Sequence, residues 1–175
     1  MDTLLILVKL KGTHIADIDD FRAELVATGD AMEGCGALKD LSARDWVEHS
    51  IKISNPRICP SEHVVTSQFV CFRVSDNRLV GIIKLRHYLN DFLEKYVGHI
   101  GYSVRPSERG KGYGTWMLKS LLPFCKEIGL EQVLVCCEIG NVASRKTILS
   151  AGGVFEKEDY SPNEDIYLER YWIKT

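Results

Sequence analysis

The chain has 175 residues, 45% hydrophobic and 26% charged, a balance that excludes disorder and collagen-like structure and suits one globular domain over 1–175. Twenty-two basic against 24 acidic residues leave a net charge of −2, so no broad field favours nucleic acid or anionic membranes. The longest apolar run, Leu4–Val8, is far too short to span a bilayer, and Met1-Asp2 is no basic leader.

The six cysteines (Cys35, Cys59, Cys71, Cys125, Cys136 and Cys137) form no CxxC pair and share no zinc-site spacing with the five histidines. We therefore expect reduced thiols serving as small core residues in a cytoplasmic protein without a metal.

In chain order, Leu4–Leu10 reads as a strand. Ile18, Phe21 and Leu25 then lie on one stripe of a helix that opens near Asp17, where three aspartates suit the helix dipole. Ser42-Ala43-Arg44-Asp45 resembles a capping box with Asp for Glu, Leu41 and Trp46 supply a hydrophobic staple, and Asn55-Pro56 stops this second helix. Val64–Val74 and Leu79–Tyr88 read as a β-hairpin around Ser75–Arg78. A strand over Gly98–Val104, a Gly-rich loop, a helix from about Gly112 to Ile128 with an internal Pro123, and a strand over Leu130–Glu138 follow. Val133–Cys137 is apolar on both faces, as in a covered central strand. A helix over about Val142–Ala151 and strands near Val154–Glu158 and Ile166–Lys174 complete the chain. The class is α/β, with a right-handed strand–helix–strand crossover flanked by antiparallel hairpins.

The informative segment is Arg105-Pro106-Ser107-Glu108-Arg109-Gly110-Lys111-Gly112-Tyr113-Gly114-Thr115. Between a strand and a helix, its backbone N–H groups are free to converge on one ligand, and alternate glycines allow close approach. With the helix dipole behind it, such a nest suits a pyrophosphate, and Arg109 and Lys111 add positive charge. An ordinary glycine-rich turn is the other reading of the loop alone. Walker A and dinucleotide fingerprints are absent, because the glycines run GxGxG.

Arg109-Gly110-Lys111-Gly112-Tyr113-Gly114, in this strand–loop–helix–strand order, resembles the signature of the GCN5-related N-acetyltransferase (GNAT) superfamily. The likeness extends from about Leu79 to Gly153, and Gly98–Pro106 looks like a branch of predicted bacterial acetyltransferases. The resemblance implies a mixed, mainly antiparallel sheet with a central parallel strand pair and helices on both faces. It implies an acetyl-CoA-binding core over 79–153 and acceptor-side helices over 12–60. In the family, the loop amides bind the pyrophosphate of acetyl-CoA, which here points to Arg109, Gly110, Lys111, Gly112, Tyr113, Gly114 and Thr115. A freed backbone N–H on the fourth strand, from Val104 or a neighbour, serves the developing oxyanion. Asn141 would contact the pantetheine arm, although Asn is also an ordinary helix N-cap.

Many members carry a proton-donating Tyr seven residues after that Asn, where this chain has Ile148. Members resembling ribosomal-protein N-terminal acetyltransferases place a Ser three residues after it, and Ser144 fits that variant as donor to the thioester sulfur. Gly152-Gly153 matches the family's Gly-aromatic ending only in its first residue.

The chemistry implied is direct transfer of an acetyl group from acetyl-CoA to a primary amine in a ternary complex. An alkylamine with a pKa near 10.4 arrives protonated, so a base is needed. Glu138 is placed best for it, with His99 and Tyr102 as alternatives. Cys136 and Cys137 lack a His at a spacing that marks a cysteine nucleophile. Asp30, Glu33, Asp40 and Glu48, against Lys39, Arg44 and Lys52, either line the acceptor side for a cationic amine or form solvated faces. Trp46 reads as core. The acceptor is a small-molecule or peptide amine, and the protein a monomer or homodimer whose Tyr167–Trp172 strand pairs across the dimer or completes the core. The competing reading is a non-catalytic acyl-CoA-binding or regulatory module, favoured by Ile148 and disfavoured by Ser144.

Overall fold

A computed structural model describes residues 3–29 and 32–175, so Asp30 lies outside the described residues. The elements run β1 (Leu5–Lys9), α1 (Ile15–Thr28), α2 (Ala43–Ser54), β2 (Thr66–Arg73), β3 (Arg78–Arg86), α3 (Asp91–Tyr96), β4 (Ile100–Val104), α4 (Tyr113–Glu127), β5 (Gln132–Glu138), α5 (Val142–Ser150), β6 (Val154–Ser161) and β7 (Ile166–Lys174). None of the described helices is long and apolar enough to cross a membrane.

Local chemistry sets most boundaries. The Ser42 hydroxyl accepts from the Asp45 N–H at 3.1 Å and caps α2 as its sequence requires. A 3-10 turn at Gly12–His14 carries the chain into α1, which begins two residues before Asp17 and ends on Gly29 in the left-handed region. The α4 helix runs on through Pro123. The short α3 was not expected from the sequence; its signal is Asn90, whose side chain caps the Leu93 N–H at 2.9 Å.

Two antiparallel sheets form, in the orders β1-β2-β3-β4 and β5-β7-β6. Helices cover both faces. Phe69, Ile83, Leu85 and Ile100 pack with Met117, Leu118 and Leu121 of α4, while Val70, Phe72 and Ile82 pack with Ile18, Phe21 and Leu25 of α1 and with Trp46 of α2. Strand β7 is the middle strand of its sheet, paired on both sides within the chain, and it buries Leu168 and Tyr171 while Tyr167 stays exposed.

The expected central parallel pair is β4 with β5, but among the described residues no parallel ladder forms between them, and the two touch at one point only, by an antiparallel bridge. Gly98 and Val135 form a single bridge, and the His99 N–H donates to the Leu134 carbonyl at 2.7 Å. Beyond that junction no ladder joins the strands among the described residues, and a cleft opens between the sheets.

The segment before α2 is clamped against this cleft. Gln68 Nε2 donates to the Gly34 carbonyl at 3.1 Å, Ser103 Oγ donates to the Glu33 carbonyl at 2.5 Å, and Trp46 Nε1 donates to the Cys35 carbonyl. Gly34 has φ +76° and lies backbone to backbone against Gly101, where a Cβ would overlap the Gly101 carbonyl. Gly34→Ala should therefore cost about 2–4 kcal/mol through left-handed strain plus overpacking. Gly29→Ala, at φ +66° in open space, should cost only about 1 kcal/mol. Thermal melts of both variants test the difference; equal Tm losses would show that the Gly34–Gly101 approach is not limiting.

Candidate active site

Backbone phase at β4 comes first. The Arg86 N–H donates to the His99 carbonyl at 2.8 Å and the Arg105 N–H to the Val80 carbonyl at 2.9 Å. With Lys84 opposite Gly101 and Ile82 opposite Ser103, the alternation turns the N–H groups of Tyr102 and Val104 away from β3 and toward β5. No β5 backbone answers them, so both face the cleft.

The cleft has a volume of about 970 Å³ and runs from the Gly-rich loop to the far side of the sheet. At its first mouth Gly110 and Gly112 adopt φ +77° and +79°, which a side chain would strain, and Gly112 is the N-cap of α4. Their surroundings are open, so the glycines serve backbone conformation rather than internal packing. The alternating conformation ahead of a helix N-terminus is an anion nest.

The loop rests on buried ion pairs. Glu108 is buried and meets Arg73 at 2.6 Å, Lys111 at 2.7 Å and Arg78 at 3.3 Å. Burial pushes its carboxyl up, but the bonds from Arg73 and Lys111 outweigh burial and hold it below the usual range. Arg105, also buried, reaches Asp20 at 2.8 Å and Glu24 at 3.0 Å and so ties the loop to α1.

Midway along the cleft, α5 meets β4. The Asn141 side chain caps the Ser144 N–H at 3.0 Å, which turns the Ser144 hydroxyl to within 2.9 Å of the Tyr102 hydroxyl. Burial pushes the Tyr102 phenol up to about 12, so it stays protonated at neutral pH. Beneath the pair lies Glu169, held by Arg145 at 2.5 Å and Tyr171 at 2.8 Å.

Of the residues expected at the site, Val104, Arg109, Gly110, Gly112, Tyr113, Gly114, Glu138, Asn141 and Ser144 all line this one cleft. Lys111 and Thr115 do not; the Lys111 ammonium is drawn to Glu108, and Thr115 lies inside the first turn of α4. His99 also lies outside it. Its Nδ1 accepts from the Leu134 N–H at 3.0 Å, and burial followed by the nearby Arg86 pushes the ring down to about 4, so it is a neutral structural clamp and no base. Tyr102, an alternative base in the sequence, lines the cleft with its phenol held protonated by burial. Ile148 is fully buried among α4 and β5 side chains. Thr147 and Lys146 line the cleft unannounced by any motif, as do Lys84 and Arg86 of β3.

Two antiparallel sheets parted by such a cleft, with an anion nest at one mouth, define an acyltransferase-like α/β protein. The Acetyltransferase (GNAT) domain model matches residues 5–154, and the chain belongs to the GNAT acetyltransferase family. No curated protein matches the sequence significantly. Among solved structures, the ribosomal-protein-S5-alanine acetyltransferase from Vibrio fischeri superposes with TM-score 0.77 at 14% identity, covering 99% of this chain and 94% of that one. The ribosomal L7/L12 alpha-N-protein acetyltransferase RimL, in complex with coenzyme A, gives 0.72 at 15% identity over 99% and 95%. The microcin C7 self immunity acetyltransferase MccE, in complex with acetyl-CoA and AMP, gives 0.72 at 15% over 100% and 94%.

Two thiols face this region without being poised to react. Burial pushes Cys136 up to about 12 and Cys137 up to about 11. Thiolate is the reacting species, so both should resist iodoacetamide at pH 7.5 in the folded protein and react promptly in denaturant. Peptide mass spectrometry reads this; rapid native labelling of either would revive a cysteine nucleophile.

Proposed function

We propose that the protein is an N-acetyltransferase that moves an acetyl group from acetyl-CoA to a primary amine by direct attack in a ternary complex. The observation that carries this reading is the open β4–β5 seam, lined without interruption from the Gly110–Gly112 nest to the Ser144–Tyr102 hydroxyl pair. Acetyl-CoA fits that lining. The nest would take its pyrophosphate, the unpaired N–H groups of β4 and the Asn141–Thr147 stretch of α5 would flank its pantetheine arm, and its thioester would supply the activated acyl carbon.

The residues then divide the work. Glu138, exposed on the face of β5 away from α4, takes a proton from the acceptor ammonium so that a neutral amine can attack. The Val104 N–H, preset toward the seam, donates to the carbonyl oxygen as negative charge develops there. The new N–C bond forms as the C–S bond breaks, and the thiolate takes a proton delivered through Ser144 and Tyr102. The second amine proton leaves with solvent, so an ammonium and an acetyl thioester become an amide, a thiol and one released proton.

Ile148 explains why the acid comes from β4. The α5 position that bears a tyrosine in many relatives here fills the core, and Tyr102 supplies a phenol from the opposite wall. Cys136 and Cys137 are protonated and so favour direct transfer over an acyl-enzyme.

Calorimetry and thiol release test this. Wild-type protein should bind acetyl-CoA, with Kd near 1 μM or about −8 kcal/mol, and release thiol when given amines. Gly112→Glu, which charges and strains the nest, should abolish binding without lowering Tm by more than a few degrees. Tyr102→Phe and Ser144→Ala should each lower kcat about 10–100-fold, with the double variant little worse than either because the two hydroxyls act in one chain. Binding without turnover on any amine would leave an acyl-CoA-binding module, and full activity in both single variants would remove the hydroxyl pair from the chemistry.

A further inference from the structure

The second mouth of the cleft opens on the face of β3 opposite α4. Ile83 and Leu85 point into the core beneath α4, so the alternate residues Lys84 and Arg86 project together on the other face. Both line the cleft, close to Glu33 and Cys136. The Lys84 Nζ lies under the clamped segment beside Gly36, and the Arg86 guanidinium gives one of its five donors to the Gly98 carbonyl at 3.1 Å.

Most of the protein's other part-buried arginines are paired with carboxylates, and Arg22 spends its guanidinium on the Leu38 and Lys39 carbonyls. Arg73, Arg105, Arg145 and Arg170 all have a carboxylate within 3 Å. Among the described residues, neither Lys84 nor Arg86 forms an ion pair. The Glu33 carboxylate acts on both through space only. Burial, followed by the charge of Arg86, pushes the Lys84 ammonium down to about 8, as expected for a positive charge short of a partner. Two half-buried cations aimed into a cavity with no carboxylate in ion-pair contact are costly unless a ligand brings one.

We propose that the acceptor is a small amine that carries its own carboxylate or phosphate group, and that this anion sits between Lys84 and Arg86. The inference rests on the N-acetyltransferase reading. The donor's phosphates are served at the other mouth by the nest before α4, on the opposite face of β3, which leaves this pair to the acceptor. Glu33 and Glu138 at the same mouth complement the ammonium end, so the lining matches a zwitterion. A polyamine would place a second positive charge against Lys84 and Arg86, and a neutral peptide amine would leave both unpaired.

Matched amines test this: O-phosphoethanolamine against ethanolamine, β-alanine against its amide, with spermidine and a neutral dipeptide amide alongside. The anionic member of each pair should have a kcat/KM at least about tenfold above its neutral partner, the worth of one or two charge-assisted hydrogen bonds. The phosphate and carboxylate pairs together tell which anion is preferred. Lys84→Met/Arg86→Met should collapse that ratio toward one while acetyl-CoA affinity is retained, and Lys84→Arg/Arg86→Lys should restore part of it. If the double variant does not fold, calorimetric binding of O-phosphoethanolamine to CoA-loaded wild-type protein decides, with ethanolamine as the control. Preference for spermidine, the neutral dipeptide or the uncharged partners would overturn the assignment and leave the acetyltransferase reading standing. No acetyl-CoA binding or turnover with any amine would overturn both.

Discussion

The seam between β4 and β5 is held shut at one end by His99, and the rest of the site depends on its being open everywhere else. The His99 N–H bonds to the Leu134 carbonyl, and its ring nitrogen accepts the Leu134 N–H in place of a strand carbonyl. One residue thus satisfies both polar groups of Leu134 without continuing the ladder. An imidazole can do this only while neutral, and burial beside Arg86 keeps it so down to acid pH. Unpaired strand edges are ordinarily a hazard that proteins cover. Here the edge of β4 is left facing the cleft, with its N–H groups turned into it.

A nest of backbone amides recognises an anion well only if it does not have to be organised on binding. The loop's foundation is therefore electrostatic and buried. Glu108 faces three cations, and Arg105 faces two carboxylates of α1 besides donating to the Leu79 carbonyl at 2.8 Å. Pairs of this kind give little net stability over apolar packing, but losing one partner strands a buried charge. Their effect is to fix where the loop can lie relative to β2, β3 and α1. The lysine at the centre of the motif pairs with this foundation through Glu108.

What the sequence made legible was local. The α2 cap, the stripe of α1, the hairpin of β2 and β3, and the glycines before α4 all rest on contacts within a few residues, and each appears at its expected place. One wall of the cleft was legible for the same reason, since Val104–Gly114 and Asn141–Ser144 are continuous stretches that the fold brings to it. The opaque features are tertiary. Tyr102 and Ser144 are 42 residues apart, and nothing in either neighbourhood tells a phenol on a strand to meet a hydroxyl on a helix. The raised pKa of the Tyr102 phenol is a property of burial, invisible until the walls are assembled. Lys84 and Arg86 alternate with Ile83 and Leu85 as any half-exposed strand would, and only the split sheet turns their face into a wall. The α3 helix, at six residues, was too short for periodicity to reveal.

That contrast has a chemical origin. Acetyl donors of one kind present the same pyrophosphate and pantetheine to every protein that uses them, so backbone amides in a fixed local motif suffice. Acceptors differ, and side chains must read them. In this chain the charged side chains of the cleft come from separate places: Glu33 from the segment before α2, Lys84 and Arg86 from β3, Glu138 from β5 and Glu164 from the turn between β6 and β7. No single stretch encodes them, so each can change without disturbing the donor half. The two halves meet only at the scissile thioester, where geometry is most demanding. Residues of that meeting point, Val104, Tyr102 and Ser144, are held by strand phase and by the Asn141 cap rather than by either ligand. Specificity is then free to drift at the second mouth, while the group that must be transferred stays fixed at the seam.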